Sequence, residues 1–439
     1  MTIEWHTIRP ERKSAKGDSE QVLTEAVVNS RPLRGFLEAA VDADQPILLC
    51  VNDSHRSTQT KPALRALIKF IGQLREHDGG WRGRRSFPRF RVLFATGTHR
   101  FSEAGRSTFE RETLADTELN AETVTWHDAT EERNLVSVGG ARMHRLIGES
   151  RFILPVGSVE PHYFGGATGP HKTVTIGCLS RDDIEQNHAG ALSPASDLLR
   201  LRGNPVYDGI VQVLGGLSEE GRRICAIGEV VCDDAVVAAA VGDPIEVTDE
   251  LLPTARQTYV RTIERPVDVL RLRVPPPLGR SLYQADKALK NNHLAVRDGG
   301  AILLEAECDE GIGPDAFMRL LRRSNSYAEA TSLVDAEGYR LGDHKAVKLR
   351  YLMDPACRGV YVELVSTHVS KADLADTGIE VVPTTDVGLK RAGEVTSRSL
   401  PSAMKEDGPP GGPYIPGGGT RSGLVVEDAG MVCVTSAWQ

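Results

Sequence analysis

The chain has no run approaching the ~18 apolar residues that a membrane span needs. Residues 1–19 are polar and charged, without the apolar core of a signal peptide, so neither export nor anchoring is expected. Cysteine is sparse and unpatterned. Cys50, Cys178, Cys225, Cys232, Cys308, Cys357 and Cys433 make an odd set with no C-x-x-C pair, which gives no sign of a disulfide framework or a thiolate metal site and fits a reducing cytoplasm. Positive charge is also in deficit. With 52 Lys and Arg against 60 Asp and Glu the net charge is −8, the wrong sign for collecting nucleic acid by counterion release, so no nucleic-acid or membrane partner is expected. An anionic small-molecule ligand would have to find Arg and Lys concentrated locally. No internal repeat or heptad run occurs.

What is present is a globular composition, 40% hydrophobic and 26% charged, over 439 residues. That length suits two domains of ~100–200 residues each. Strand-length apolar runs at residues 46–51, 89–95, 123–126 and 152–156 alternate with amphipathic stretches such as 61–75. This βαβα alternation predicts an α/β fold with a mostly parallel sheet. A second such pattern has strands at 267–274, 301–307, 359–365, 380–382 and 424–434, with helices at 283–291, 313–323 and 371–376. The boundary is placed near Arg265, giving domains of residues 1–265 and 266–439. Residues 407–419, dense in Pro and Gly, read as a loop before the last strand.

Parallel sheets present ligand-binding groups just past the C-terminal ends of their strands, and four clusters draw attention. The densest is Glu160-Pro161-His162-Tyr163-Phe164-Gly165-Gly166-Ala167-Thr168-Gly169-Pro170-His171-Lys172, where glycines would let backbone N–H groups approach a phosphate and a lysine closes the loop. It is neither a Walker loop nor G-x-G-x-x-G. Ser180-Arg181-Asp182-Asp183 reads as a capping box that puts His188 near the end of a short helix. The second and third clusters are Asn52-Asp53-Ser54-His55-Arg56 and Ala95-Thr96-Gly97-Thr98-His99-Arg100, each directly after a strand. In the fourth, Tyr283-Gln284-Ala285-Asp286-Lys287, an amide and an ammonium three residues apart share a helix face and suit a carboxylate. Taken singly, each histidine is ordinary, each Asp a helix cap and each polar pair a solvated face.

In chain order these clusters resemble the lactate racemase family. The most specific piece is Glu160 to Phe164 through Gly169 and Lys172, then Asn187-His188. Asp53-x-x-Arg56, Ala95-Thr96-Gly97-x-His99-Arg100 and Tyr283-Gln284-x-x-Lys287 support it, and Ala306-Glu307-Cys308-Asp309-Glu310-Gly311-Ile312-Gly313 is similar to the family's C-terminal domain. The resemblance implies two α/β domains with the active site in the cleft between them. It implies a racemase or epimerase that inverts C2 of a 2-hydroxy acid by hydride transfer through a 2-keto acid. The implied cofactor is a nickel-pincer nucleotide joined to Lys172 by a thioamide, its nickel bound by His188. His99 and His162 would be the acid–base pair, and Gly165, Gly166 and Gly169 would lie along the cofactor. Arg56, Tyr283, Gln284 and Lys287 would bind substrate, and Asp53 would order Arg56 or the cofactor ribose.

The residue types suit such chemistry. Loss of hydride from C2 gives a flat keto acid whose configuration is erased, and no amino acid is a hydride acceptor, so a cofactor is needed. A neutral imidazole with a pKa near ~6.5 can take and return the hydroxyl proton. The chain departs from the lactate-type pattern at Pro170-His171 in place of Gly-Arg and at Ser57 in place of Pro, and it carries Asp286, Asn291 and Asn292 near the substrate lysine. These changes point to a larger, more polar substrate such as a sugar acid. The alternatives are a nicotinamide-dependent 2-hydroxyacid dehydrogenase, for which the glycine fingerprint is missing, and a non-catalytic nucleotide- or anion-binding protein.

Overall fold

The computed structural model describes residues 3–9, 18–77, 87–396 and 421–437. The loop expected at residues 407–419 lies outside them. The chain forms two compact units that divide between Thr258 and Tyr259, a few residues before Arg265. The strand Ile3–Ile8 belongs with the second unit because it pairs in parallel with Arg421–Val426.

In the first unit the strands lie in the order Ala121–Trp126, Phe90–Ala95, Ile47–Asn52, Phe152–Ser158, Ala226–Cys232, Ala235–Gly242, with Arg223–Ile224 also pairing with Phe152–Ser158. Every pairing is parallel except the last hairpin. Strands Ile47–Asn52, Phe152–Ser158 and Ala226–Cys232 are buried along nearly their whole length, as strands covered on both faces must be. Helix Thr60–His77 buries Ala63, Leu64, Leu67, Ile71 and Leu74, an i, i+3, i+4 stripe worth about 1.5–3 kcal/mol for each large side chain removed from water. These residues pack on Leu49, Val51, Val92, Phe94, Leu154 and Val156.

The strand order reverses between Ile47–Asn52 and Phe152–Ser158. From the former the chain builds outward one way through Phe90–Ala95 and Ala121–Trp126, then returns to build the other way. The loops that leave these two strands therefore diverge and open a crevice at the strands' C-terminal ends.

The second unit has its own sheet of six parallel strands, Ile3–Ile8, Arg421–Val426, Val267–Arg273, Val296–Glu305, Tyr361–Val365 and Glu380–Val382. Two elements differ from the sequence reading. Residues 371–376 form turns rather than a helix, because Ser370 and Asp373 bond each other's backbone and side chains and Asp376 takes a left-handed φ of 62°. The expected strand at 424–434 is two strands. Asp428, at φ 51°, breaks the run, and Cys433–Ser436 leaves to pair with Val260–Ile263. Among the described residues no helix is long and apolar enough to cross a membrane.

Candidate functional site

The loops leaving the two central strands of the first unit are tied to each other. Thr173 Oγ1 donates to Asn52 Oδ1 at 3.0 Å, and Thr58 Oγ1 donates to Ser158 Oγ at 3.0 Å. The third loop joins them through Gly97, whose N–H donates to the Gly177 carbonyl at 3.0 Å. Gly97 has φ 55°, and an added Cβ would sit 3.3 Å from the Ile176 carbonyl oxygen, so this turn needs glycine. Three clusters far apart in sequence thus share one crevice.

Asp53 is buried at the start of the first loop. Its Oδ1 accepts the His55 N–H at 2.9 Å, and its Oδ2 lies 2.8 Å from His99 Nδ1. Burial works to raise this carboxyl, but His99 and His55 outweigh it and hold Asp53 well below the usual carboxylate range. An ionised carboxylate only accepts, so His99 carries its proton on Nδ1 and presents a lone pair at Nε2. Burial holds His99 below its ordinary value, with Asp53 opposing and His55 and Arg56 adding to the depression. The Arg56 N–H donates to the Asp53 carbonyl at 3.3 Å.

In the dense segment His162 and Lys172 are both buried, with Lys172 Nζ 3.3 Å from His162 Nε2. The Gly165 N–H donates to His162 Nδ1 at 3.1 Å, which makes Nδ1 an acceptor. The Gly165 amide is therefore engaged within its own loop. Gly166, at φ 73°, presses so close to the Arg200 carbonyl that a Cβ would come within 2.3 Å of it. Gly169 supplies the carbonyl that accepts from the Lys172 N–H at 3.0 Å. Each of the three has a structural part in shaping the loop.

Phe164 packs against both the lysine and the nearby helix. Lys172 Nζ sits 5.4 Å from its ring centroid, and the His188 ring meets it edge to face at 5.0 Å. His188 stands in the last turn of Arg181–Ala189, the helix that Ser180 caps by accepting the Asp183 N–H at 3.2 Å. Burial, then the Lys172 charge, pushes His188 down to about 3, so it is a neutral donor at any ordinary pH. His171 proves structural: fully buried, it places Nδ1 2.8 Å from Thr248 Oγ1 and packs its ring on Tyr207.

Tyr283, Gln284 and Lys287 stand on helix Leu282–Asn292 of the second unit. Lys345 donates from Nζ to the Tyr283 carbonyl at 2.6 Å and lies 4.0 Å from the Tyr283 ring centroid. The neighbouring polar residues serve the fold. Asp286 is fully buried against Lys290 at 3.4 Å and Lys345 at 3.5 Å. Asn291 Nδ2 donates to Gly430, and Asn292 bonds Ala429, Val432 and Val434.

Sequence reasoning gave no role to His55, whose ring lies 4.5 Å from that of His99, or to Phe164. It also passed over Glu229, fully buried in strand Ala226–Cys232, where Oε1 accepts the Gln59 N–H. Burial, with Glu160 adding and the Gln59 N–H opposing, pushes Glu229 up to about 8. The one available signal was a lone acid inside the apolar run Ala-Ile-Gly-Glu-Val-Val-Cys.

Comparison with known proteins identifies the family. Residues 3–198 match the family model described as the lactate racemase N-terminal domain, and residues 274–400 match the lactate racemase C-terminal domain. The lactate racemase of Thermoanaerobacterium thermosaccharolyticum is 25% identical over 261 residues, 56% of this chain and 59% of that protein. That of Lactiplantibacillus plantarum is 24% identical over 246 residues, 52% of this chain and 54% of that protein. The chain thus aligns with little more than half the length of these relatives. In fold, the apoprotein structure of the Thermoanaerobacterium enzyme superposes with a TM-score of 0.74 at 18% identity, covering 99% of this chain and 95% of that one. A protein from Thermotoga maritima superposes with a TM-score of 0.66 at 14% identity, covering 96% and 99%.

Proposed function

Because the chain belongs to the lactate racemase family, we propose that it interconverts the two configurations at C2 of a 2-hydroxy acid, using a nickel-pincer nucleotide tethered at Lys172. The observation that carries this reading is the grouping of a buried lysine amine with His162 at 3.3 Å and with His188, both lysine and His188 lying against the Phe164 ring, in the crevice where the strand order reverses. The residues fit the group. A primary amine is the nucleophile a covalent tether needs, and His188, held neutral, is a suitable nickel donor. A Cβ on Gly165 would come 3.3 Å from His162 Nδ1, tighter than most side-chain contacts, so glycine suits the backbone beside this ring. When bound, the cofactor supplies the hydride acceptor that protein side chains lack.

The remaining work falls to side chains. His99, with its proton on Nδ1 against Asp53, offers Nε2 as the base for the substrate hydroxyl as C2 loses hydride. His162, its ring held by the Gly165 N–H at Nδ1 and its Nε2 facing Lys172, is proposed as the second acid–base group, since inversion in both directions needs a proton acceptor and a proton donor. Arg56 is proposed to bind the substrate carboxylate, for which its bidentate guanidinium is suited. Gln284 and Lys287, with Tyr283 beside them, are proposed as further carboxylate donors. With Asp286, Asn291, Asn292 and His171 engaged in packing, the proposal of a substrate larger than lactate, such as a sugar acid, rests on Ser57 beside Arg56. The seven unpaired cysteines suit a reducing cytoplasm, and the acidic net charge argues for small-molecule rather than nucleic-acid partners.

The test is to incubate single enantiomers of lactate and of sugar acids with cofactor-loaded protein and follow the opposite configuration. Appearance of the second enantiomer or epimer without added nicotinamide is expected. Turnover only with NAD would favour the dehydrogenase. Lys172→Ala should lose the covalent cofactor mass from the intact protein, and its retention would show the tether to be elsewhere.

A further inference from the structure

We propose that Asp53, His55 and His99 form a second metal site in this chain, a two-histidine, one-carboxylate set for a divalent cation such as Zn²⁺, distinct from the nickel site proposed at His188. One ligand atom from each of the three residues can be chosen so that all lie within 4.8 Å of one another. Four ligands placed tetrahedrally around zinc at ~2.0–2.1 Å stand about 3.4 Å apart. Asp53 Oδ1 stands 3.5 Å from His55 Nδ1 and Asp53 Oδ2 stands 2.8 Å from His99 Nδ1, so the carboxylate faces one imidazole with each oxygen, and a shared ion requires the two rings to close on it.

The donor chemistry agrees. His55 Nδ1 is buried, makes no hydrogen bond of normal geometry among the described residues, and faces Asp53 Oδ1 at 3.5 Å. The two imidazoles lie with ring centroids 4.5 Å apart, and Phe101 backs the His55 ring at 5.2 Å. Asp53 is buried, while the two histidine side chains remain 28% and 27% exposed, which leaves a route for the ion and an open fourth position. Imidazole and carboxylate together select first-row divalent cations over Mg²⁺ or Ca²⁺. The charge on Arg56, felt at His99, disfavours the cation, and the ionised Asp53 offsets it. Binding displaces the proton on His99 Nδ1, and with it the tautomer that presents Nε2 as a base. On the function proposed above, zinc here is therefore an inhibitor.

The binding test does not depend on that function. Zinc binding is measured by equilibrium dialysis on cofactor-free, full-length protein carrying His188→Ala, so the proposed nickel ligand takes no part. One equivalent is expected, with affinity falling at least tenfold when His55→Ala or Asp53→Asn is added. No bound zinc, or binding that survives His55→Ala, overturns the proposal. If His188→Ala fails to fold, Co²⁺ is titrated into the otherwise unaltered protein and into His55→Ala alone. Visible d–d bands that vanish in the variant support the site, and bands common to both overturn it. With cofactor-loaded enzyme, chelator-reversible inhibition by zinc that is absent in His55→Ala extends the result to turnover. Absence of all turnover would count against the proposed function while leaving the binding result intact.

Discussion

The carboxylate of Asp53 fixes which nitrogen of His99 can act as a base. Asp53→Asn replaces an acceptor by an amide that can present its N–H to the ring, which lets His99 take the other tautomer. By analogy with other carboxylate–histidine pairs, kcat should fall by about 10²–10⁴. KM should change little, since Asp53 is not proposed to touch substrate, and steady-state kinetics on the folded variant checks both. A second residue-scale prediction concerns pH. Because His99 is held below its ordinary 6.5 and must be neutral to accept a proton, kcat/KM should rise with pH through a value under 6.5 and stay level through neutrality. A rising limb above 6.5 would contradict this. Glu229 gives the opposite dependence, in stability. Its carboxyl titrates near 8 in the fold against 4.5 for a free side chain, so the native state binds its proton more tightly. The stability this contributes is complete below 4.5 and is lost as pH rises through 8. Glu229→Gln should remove that loss, seen as a thermal midpoint that falls less than the wild type's between about pH 6 and about pH 9. At this scale His99, His162, Lys172 and His188 were legible because each follows a strand or closes a motif. His55 and Glu229 were not, since one depends on a ring brought up by another loop and the other on a helix terminus 170 residues away.

At the scale of elements, helix Arg181–Ala189 is short and polar, burying only Ile184, so its cap matters more than its packing. Ser180→Ala removes the acceptor for the Asp183 N–H and should lower stability by about 1 kcal/mol in chemical denaturation. On the role proposed for His188 as nickel ligand, the same change should weaken metal retention, because His188 is in the last turn. That helix could be read from its capping box, and the central strands from their apolar runs. Residues 371–376 misled because Lys-Ala-Asp-Leu-Ala-Asp has helix-forming composition, while Ser370 and Asp373 satisfy each other locally and leave no run long enough to propagate. The double strand after residue 421 was hidden because Asp428 looks like any polar interruption until its left-handed backbone is seen.

At the scale of the whole molecule, the pattern of alternating strands and helices was enough to give two parallel-sheet units. It could not reveal that Ile3–Ile8 belongs with the later one, since nothing within six residues says which distant edge will receive them. That strand lies beside Arg421–Val426, so its hydrogen-bonding partner does not exist until more than 400 residues of chain have followed it. Glu11–Thr258 emerges in the meantime with all six long strands of its own sheet, and can mature on the ribosome while the leading strand is still waiting. Registry of the leading strand is then among the last events of folding, and a nascent or nicked chain deprived of it offers the Arg421–Val426 edge to whatever other strand arrives first.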